Sequence, residues 1–129
     1  MSDQSKIVSG DSTVTLKDVK EKVRSFCELR EWDQFHTAKD LAIGLVTEAA
    51  ELLEEFRFKS EAEIESALKD QEKRQKIGDE LADCLFFVAR FSQRFNFDLA
   101  QTFDEKMKRN GAKYPVEKSR GKNLKYNEI

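Results

Sequence analysis

The chain has 129 residues, 37% charged and 39% hydrophobic, with five glycines and one proline. That is one domain's worth of polypeptide, and the shortage of turn residues suits helices with one wet face while arguing against an all-β fold. A net charge of −2, from 23 basic and 25 acidic side chains, gives no general electrostatic reason to expect binding to a nucleic acid polymer or a membrane surface.

Residues 1–12 contain Ser, Asp and Gly without periodicity and are expected to form a mobile arm. Their polar opening lacks the basic start and apolar stretch of a signal peptide, and no run approaches the roughly 18 apolar residues of a membrane span, so a cytoplasmic protein is expected. Thr15 followed by Asp18 reads as a capping box, and Leu16, Val19, Val23 and Phe26 then share one face of a helix predicted to run to about Arg30. Cys27 in this helix and Cys84 later read as buried thiols rather than a disulfide or zinc pair, because no CxxC spacing accompanies them. Trp32, Phe35 and His36 cluster before the next helix, where the residues alone suggest a hydrophobic staple and a structural histidine.

Thr37 with Asp40 caps a second helix reaching about Phe56 and carrying Leu41, Ala42, Leu45, Val46, Ala49, Leu52 and Leu53. At about 100° per residue its apolar side spans roughly half the circumference or more, so it is expected to meet other helices on two sides. Ser60 with Glu63 opens a further helical stretch, charged through Gln75 and then amphipathic with Ile77, Leu81, Leu85, Val88 and Phe95. The pattern to residue 95 accommodates one helix or two. Asp98 with Gln101 caps a last helix whose apolar face is Leu99, Phe103 and Met107, with Gly111 and Pro115 as its stop. Residues 13–115 are thus expected to form an all-α domain of four-helix-bundle type, followed by a polar, basic tail over 116–129.

Charge is unevenly distributed along the chain: residues 48–83 carry 6 basic and 12 acidic side chains, whereas residues 84–129 carry 10 and 5. Within the acidic middle, Glu48 and Glu51 lie three residues apart on one helix, and Glu80 and Asp83 repeat the spacing on the next long one. Residues three apart share a helical face, so side-by-side packing would bring four carboxylates together, and like charges that close require a cation. Hard oxygen donors of this kind suit Mg²⁺. Glu48 falls within about 40° of Leu41, Leu45 and Leu52, at the edge of the apolar stripe, with Glu51 and Glu55 toward the polar side. A solvated charged face is the bland alternative.

Glu80, Asp83, Phe87, Arg90 and Arg94 fall within a sector of about 80°, opposite the Leu81 and Leu85 stripe. Two acids, a ring and two guanidinium groups in that order would supply a metal end, a stacking platform and anion partners; equally, Phe87 could make a core contact beside ordinary surface arginines. Lys106, Asn110 and Lys113 share one side of the last helix, with Tyr114 following, and alone would be a solvated basic face. A di-iron bundle is excluded, since it needs two ExxH motifs and the chain has one His.

Taken together, these residues resemble the MazG-like all-α nucleoside triphosphate pyrophosphatases, and among them the dCTP pyrophosphatase branch. The resemblance runs from about Glu31 to Tyr126 and is carried by EWDQFHTAKDLAIGLVTEAAELLEEF, DELADCLFF and KMKRNGAKYP. It implies that Glu48, Glu51, Glu80 and Asp83 form the catalytic metal site, holding Mg²⁺ against a triphosphate. It places Trp32, His36 and Phe87 at a nucleobase pocket and Lys106, Asn110 and Tyr114 near the phosphates. Phe87 stands where the animal dCTP enzymes often have Tyr, and Phe58 where they have Trp. The implied reaction is hydrolysis of dCTP or a related dNTP to monophosphate and pyrophosphate, in nucleotide-pool house-cleaning. The implied assembly is a homo-oligomer, a tetramer favoured over a dimer, with the small residues Ala38, Ala42 and Ala49 allowing close helix approach. Neither a nucleic acid polymer nor a membrane is expected as a partner. The competing class is a non-catalytic helical interaction module, which metal-dependent protection by nucleotide would distinguish from an enzyme.

Overall fold

Every long helix begins where a short polar side chain accepts a free first-turn N–H. The computed structural model of the chain describes residues 10–129, and the elements in order are α1 (Leu16–Leu29), a 3₁₀ turn (Asp33–Phe35), α2 (Ala38–Glu54), α3 (Glu61–Lys69), α4 (Gln71–Arg94), α5 (Leu99–Lys113) and α6 (Val116–Ser119). Thr15 and Asp18 form the reciprocal capping box expected from their spacing, with bonds of 3.0 and 3.1 Å. Thr37, Ser60 and Asp98 accept from the backbone N–H three residues on, at 3.0 to 3.2 Å. The expected arm falls mostly on residues 1–9, outside the described residues; Gly10 to Thr13 form a turn in which the Gly10 carbonyl accepts from the N–H groups of Thr13 and Val14.

The stretch from Ser60 to Phe95 is two helices. Asp70 has an extended backbone (φ −76°, ψ 125°), donates its N–H to the carbonyls of Ser66 and Ala67, and caps the next helix by accepting from the Lys73 N–H at 3.0 Å. One residue therefore ends α3 and starts α4. Gly111 does not stop α5, which runs through it to Lys113 and ends with Tyr114 as C-cap, immediately before Pro115.

Two compact units make up the chain, the first ending at Asn96 and the second covering Phe97–Ile129. In the first, α4 is the central helix and α1, α2 and α3 pack against it. Val23, Cys27 and Ala89 form a buried cluster, with Val19 and Phe86 packed on it, and Leu41 and Ile77 are buried as well. In the second unit, the Tyr126 ring meets Tyr114 edge-on at 6.3 Å, and the Lys113 ammonium lies 5.0 Å from the Tyr126 ring centre. These contacts fold the basic tail back onto the end of α5. No helix among the described residues is long and apolar enough to cross a membrane.

One expectation about helix faces is corrected. Leu81 and Leu85, expected in the core, are 54% and 43% exposed, whereas Arg90 on the other side of α4 is 1% exposed. Both sides of the helix carry enough apolar surface to pack, and the side that faces α1 and α2 is the one on which Arg90 finds partners for its donors. On α2, which packs on α4, Ile43, Val46 and Leu53 remain exposed.

Candidate active site

The contact of α2 with α4 brings acids from both helices together. Glu48, Glu80 and Asp83 each offer a carboxylate oxygen, all within 4.8 Å of one another. Glu48 and Glu80 are half-buried, and one oxygen of each is shut off from solvent without a hydrogen-bond donor. Burial pushes both carboxyls above the ordinary value near 4.5, reinforced by the Glu51 carboxyl beside them and then by Asp83. Glu51 itself is exposed, at the margin of the three. Glu55, whose charge also acts on Glu80, forms an ion pair with Lys76 at 3.5 Å. Orphaned buried oxygens among mutually repelling carboxylates are a donor set that fits a hard divalent cation. Cys84 follows Asp83, and burial first, then the acids, holds its thiol protonated above the usual range.

Beside these acids lies a cleft of about 380 Å³ lined by Lys22, Val23, Phe26, Glu48, Asp83, Phe86 and Phe87. Its aromatic wall extends outward as an edge-to-face series: Phe87 to Phe86 at 5.2 Å, Phe86 to Phe26 at 6.1 Å, Phe26 to Trp32 at 5.6 Å, and Trp32 to His36 at 6.2 Å. Phe87 thus lines the cleft, and Trp32 and His36 connect to it through Phe26. Sequence reasoning assigned Phe26 to the core and passed over Lys22 and Phe86. Nothing local marks them, because α1 becomes a cleft wall only when it packs against α4.

Arg90 is the second residue whose role differs from expectation. It is not a free anion partner: its Nε donates to His36 Nδ1 at 2.8 Å, one terminal nitrogen donates to the Gln93 side chain at 2.6 Å, and the other to the Asp33 carboxylate. Arg94 donates to the Asp33 carbonyl at 3.3 Å. Together they clamp the turn that carries Trp32 and His36 onto α4. An acceptor at Nδ1 leaves the His36 proton on Nε2. Burial, then the Arg90 charge, holds His36 below the usual 6.5, with Arg94 adding to the effect while Asp33 and Asp40 oppose it. Asp33 in turn is held below the ordinary carboxylate range by its bond from Arg90.

The remaining sequence-assigned residues are Phe58, Lys106, Asn110 and Tyr114. Phe58 is 90% exposed, with a left-handed backbone (φ 65°) and the Arg57 guanidinium 4.5 Å from its ring centre. Lys106 and Asn110 lie on α5 and Tyr114 caps it, all within the second unit.

Two consequences can be measured on the metal-free protein. The folded Glu48 and Glu80 carboxyls titrate above their unfolded value near 4.5, so the folded state binds more protons between the two and loses stability as pH rises through that window. Glu48→Gln is therefore expected to raise the melting temperature at neutral pH in chelator, with the gain shrinking toward pH 4.5; calorimetry finding a lower melting temperature at neutral pH would contradict this. Arg90→Met is expected to cost about 2 kcal/mol or more in urea unfolding, through lost charge-assisted bonds. It should also move the His36 midpoint up toward 6.5. Because the chain has one His, nitrogen-15 NMR reads its tautomer and titration without overlap, and an Nδ1–H tautomer in the unmutated protein would refute the clamp.

Known proteins resemble this chain in sequence and in fold. Residues 43–129 match the model of the MazG-like family. The chain is 35% identical over 115 residues to dCTP pyrophosphatase 1 of Rattus norvegicus, covering 89% of this chain and 68% of that protein. It is 34% identical over 121 residues to dCTP pyrophosphatase 1 of Bos taurus, covering 94% and 72%. A crystal structure of a pyrophosphatase from Archaeoglobus fulgidus superposes with a TM-score of 0.71 at 29% identity, over 78% of this chain and 92% of that one. An all-helical chain with acids from two helices converging beside an aromatic cleft, matched by this family's model over most of its length, belongs to the MazG-like family.

Proposed function

We propose that this chain is a Mg²⁺-dependent pyrophosphohydrolase of deoxynucleoside triphosphates, dCTP or a related dNTP, releasing monophosphate and pyrophosphate in nucleotide-pool house-cleaning. The enzyme class, nucleoside triphosphate pyrophosphatase, follows from the relatives. One observation carries the rest: Glu48, Glu80 and Asp83 converge at a cleft that Glu48 and Asp83 themselves line together with Phe26, Phe86 and Phe87. A nucleotide has the same bipartite chemistry, an aromatic base at one end and a cation-dependent triphosphate at the other.

Glu48, Glu80 and Asp83 would hold the metal, with Glu51 at their edge. When bound, Mg²⁺ neutralises the triphosphate oxygens and makes the α-phosphorus more electrophilic. The protein's own work is positioning. The cleft rings hold the base and exclude water from one side of the substrate; the carboxylates would hold the cation against the phosphates, and a carboxylate oxygen not engaged with it accepts the proton of the attacking water. Lys106, Asn110 and Tyr114, in the KMKRNGAKYP motif, together with Arg94, are assigned to the phosphates, and Trp32, His36 and Phe58 to the base. The open side of α2, with Ile43, Val46 and Leu53 exposed, supports a homo-oligomer; the family resemblance makes it a tetramer rather than a dimer, with subunits completing one another's sites.

Glu48→Gln and Asp83→Asn are each expected to reduce turnover at least about 100-fold at saturating Mg²⁺ while helical circular dichroism is unchanged. In ¹⁸O-water the label should appear in the monophosphate; label in the pyrophosphate alone would overturn attack at the α-phosphorus. Ala42→Arg or Ala49→Arg should dissociate subunits and lower activity together, and light scattering that finds a fully active monomer at micromolar concentration would rule out the assembly.

A further inference from the structure

Glycine is a poor residue for a helix interior, costing about 1 kcal/mol relative to alanine. α2 nevertheless carries one at Gly44, a turn before Glu48. A Cβ there would lie 2.5 Å from Cζ and 2.7 Å from Cδ1 of the Phe87 ring, and closer still to Cε1. By contrast, a Cβ at Gly78 on α4 or Gly111 on α5 would meet nothing within 4 Å. The Phe87 ring therefore rests on the bare backbone of α2. The same ring lines the cleft and meets Phe86, another cleft wall, edge-on at 5.2 Å. Any group added at residue 44 must push Phe87 outward, either into the cleft or against Phe86, and both movements narrow the same space. Phe87 meets residue 44 with the far end of a rotatable side chain, so the ring can yield and the fold survives the change.

We propose that Gly44 is a specificity-determining position: by letting the Phe87 ring sit back on α2, it sets the width of ring that the cleft admits. Gly44 itself touches no substrate and acts through Phe87. The proposal rests on the nucleotide reading of the cleft, and its test separates the two. Gly44→Ala, Phe87→Val, the double variant and Gly78→Ala are compared with the unmutated protein, measuring KM and kcat for dCTP and dGTP with Mg²⁺. Affinity for deoxycytidine and deoxyguanosine, without phosphate or metal, is measured by fluorescence of Trp32, which contacts the cleft-lining Phe26.

Gly44→Ala is expected to raise KM about tenfold for the purine nucleotide and less for the pyrimidine, with kcat little changed. In the Phe87→Val background, where the clashing ring atoms are gone, the same substitution should be nearly silent. Gly78→Ala should stabilise the fold without moving KM. Equal effects of Gly44→Ala in both backgrounds, or no effect on either base, would overturn the proposal. If the unmutated protein hydrolyses neither triphosphate, nucleoside affinity that falls in Gly44→Ala and is insensitive to that change in the Phe87→Val background supports the gate and overturns the hydrolase reading alone; affinity unmoved by Gly44→Ala overturns the gate.

Discussion

The close approach of α2 to α4 is the contact on which the site depends. Gly44 and Glu48 on α2 are one turn apart, as are Asp83 and Phe87 on α4, and the two pairs face each other: acids against acids in one layer, bare backbone against a ring in the next. The ring layer is favourable and the acid layer is not. Packing of Phe87 onto α2 thus holds together helices that their carboxylates push apart. The acid cluster and the aromatic cleft are adjacent because they are successive turns of a single interface.

That arrangement places function and stability in opposition at particular atoms. One oxygen each of Glu48 and Glu80 is buried with no donor, which no packing requirement would select. Such groups are tolerable where a ligand completes them, and the raised pKa of both carboxyls expresses the same unmet demand for positive charge. Glu55, a turn beyond Glu51, shows the ordinary alternative, since its charge is answered within the chain by Lys76.

A second buried charge is treated in the opposite way. Arg90 has its donors directed to Asp33, His36 and Gln93, so its burial is compensated within the fold and its charge is unavailable to a ligand. What it provides is position. The 3₁₀ turn is three residues long and could not hold its conformation alone; tied to α4 by Arg90 and Arg94, it holds Trp32 and His36 at the end of the ring series that begins at Phe87.

The sequence by itself determined the helix starts, because a cap is a contact between a side chain and a backbone N–H three residues away: Thr15, Thr37, Ser60 and Asp98 act as their spacing indicates. It also carried the acid pairs, since three-residue spacing places two carboxylates on one face whatever that face meets. Which face meets what was decided by the tertiary structure. α4 has two sides able to pack, and periodicity does not distinguish a side that buries Leu81 and Leu85 from one that buries Arg90; the choice lies with Asp33 and His36, more than fifty residues away in the chain. Lys22 and Phe26 became cleft walls, and Gly44 a seat for a ring, for the same reason. A cleft belongs to the space between helices, and its lining residues come from segments whose meeting no local pattern encodes.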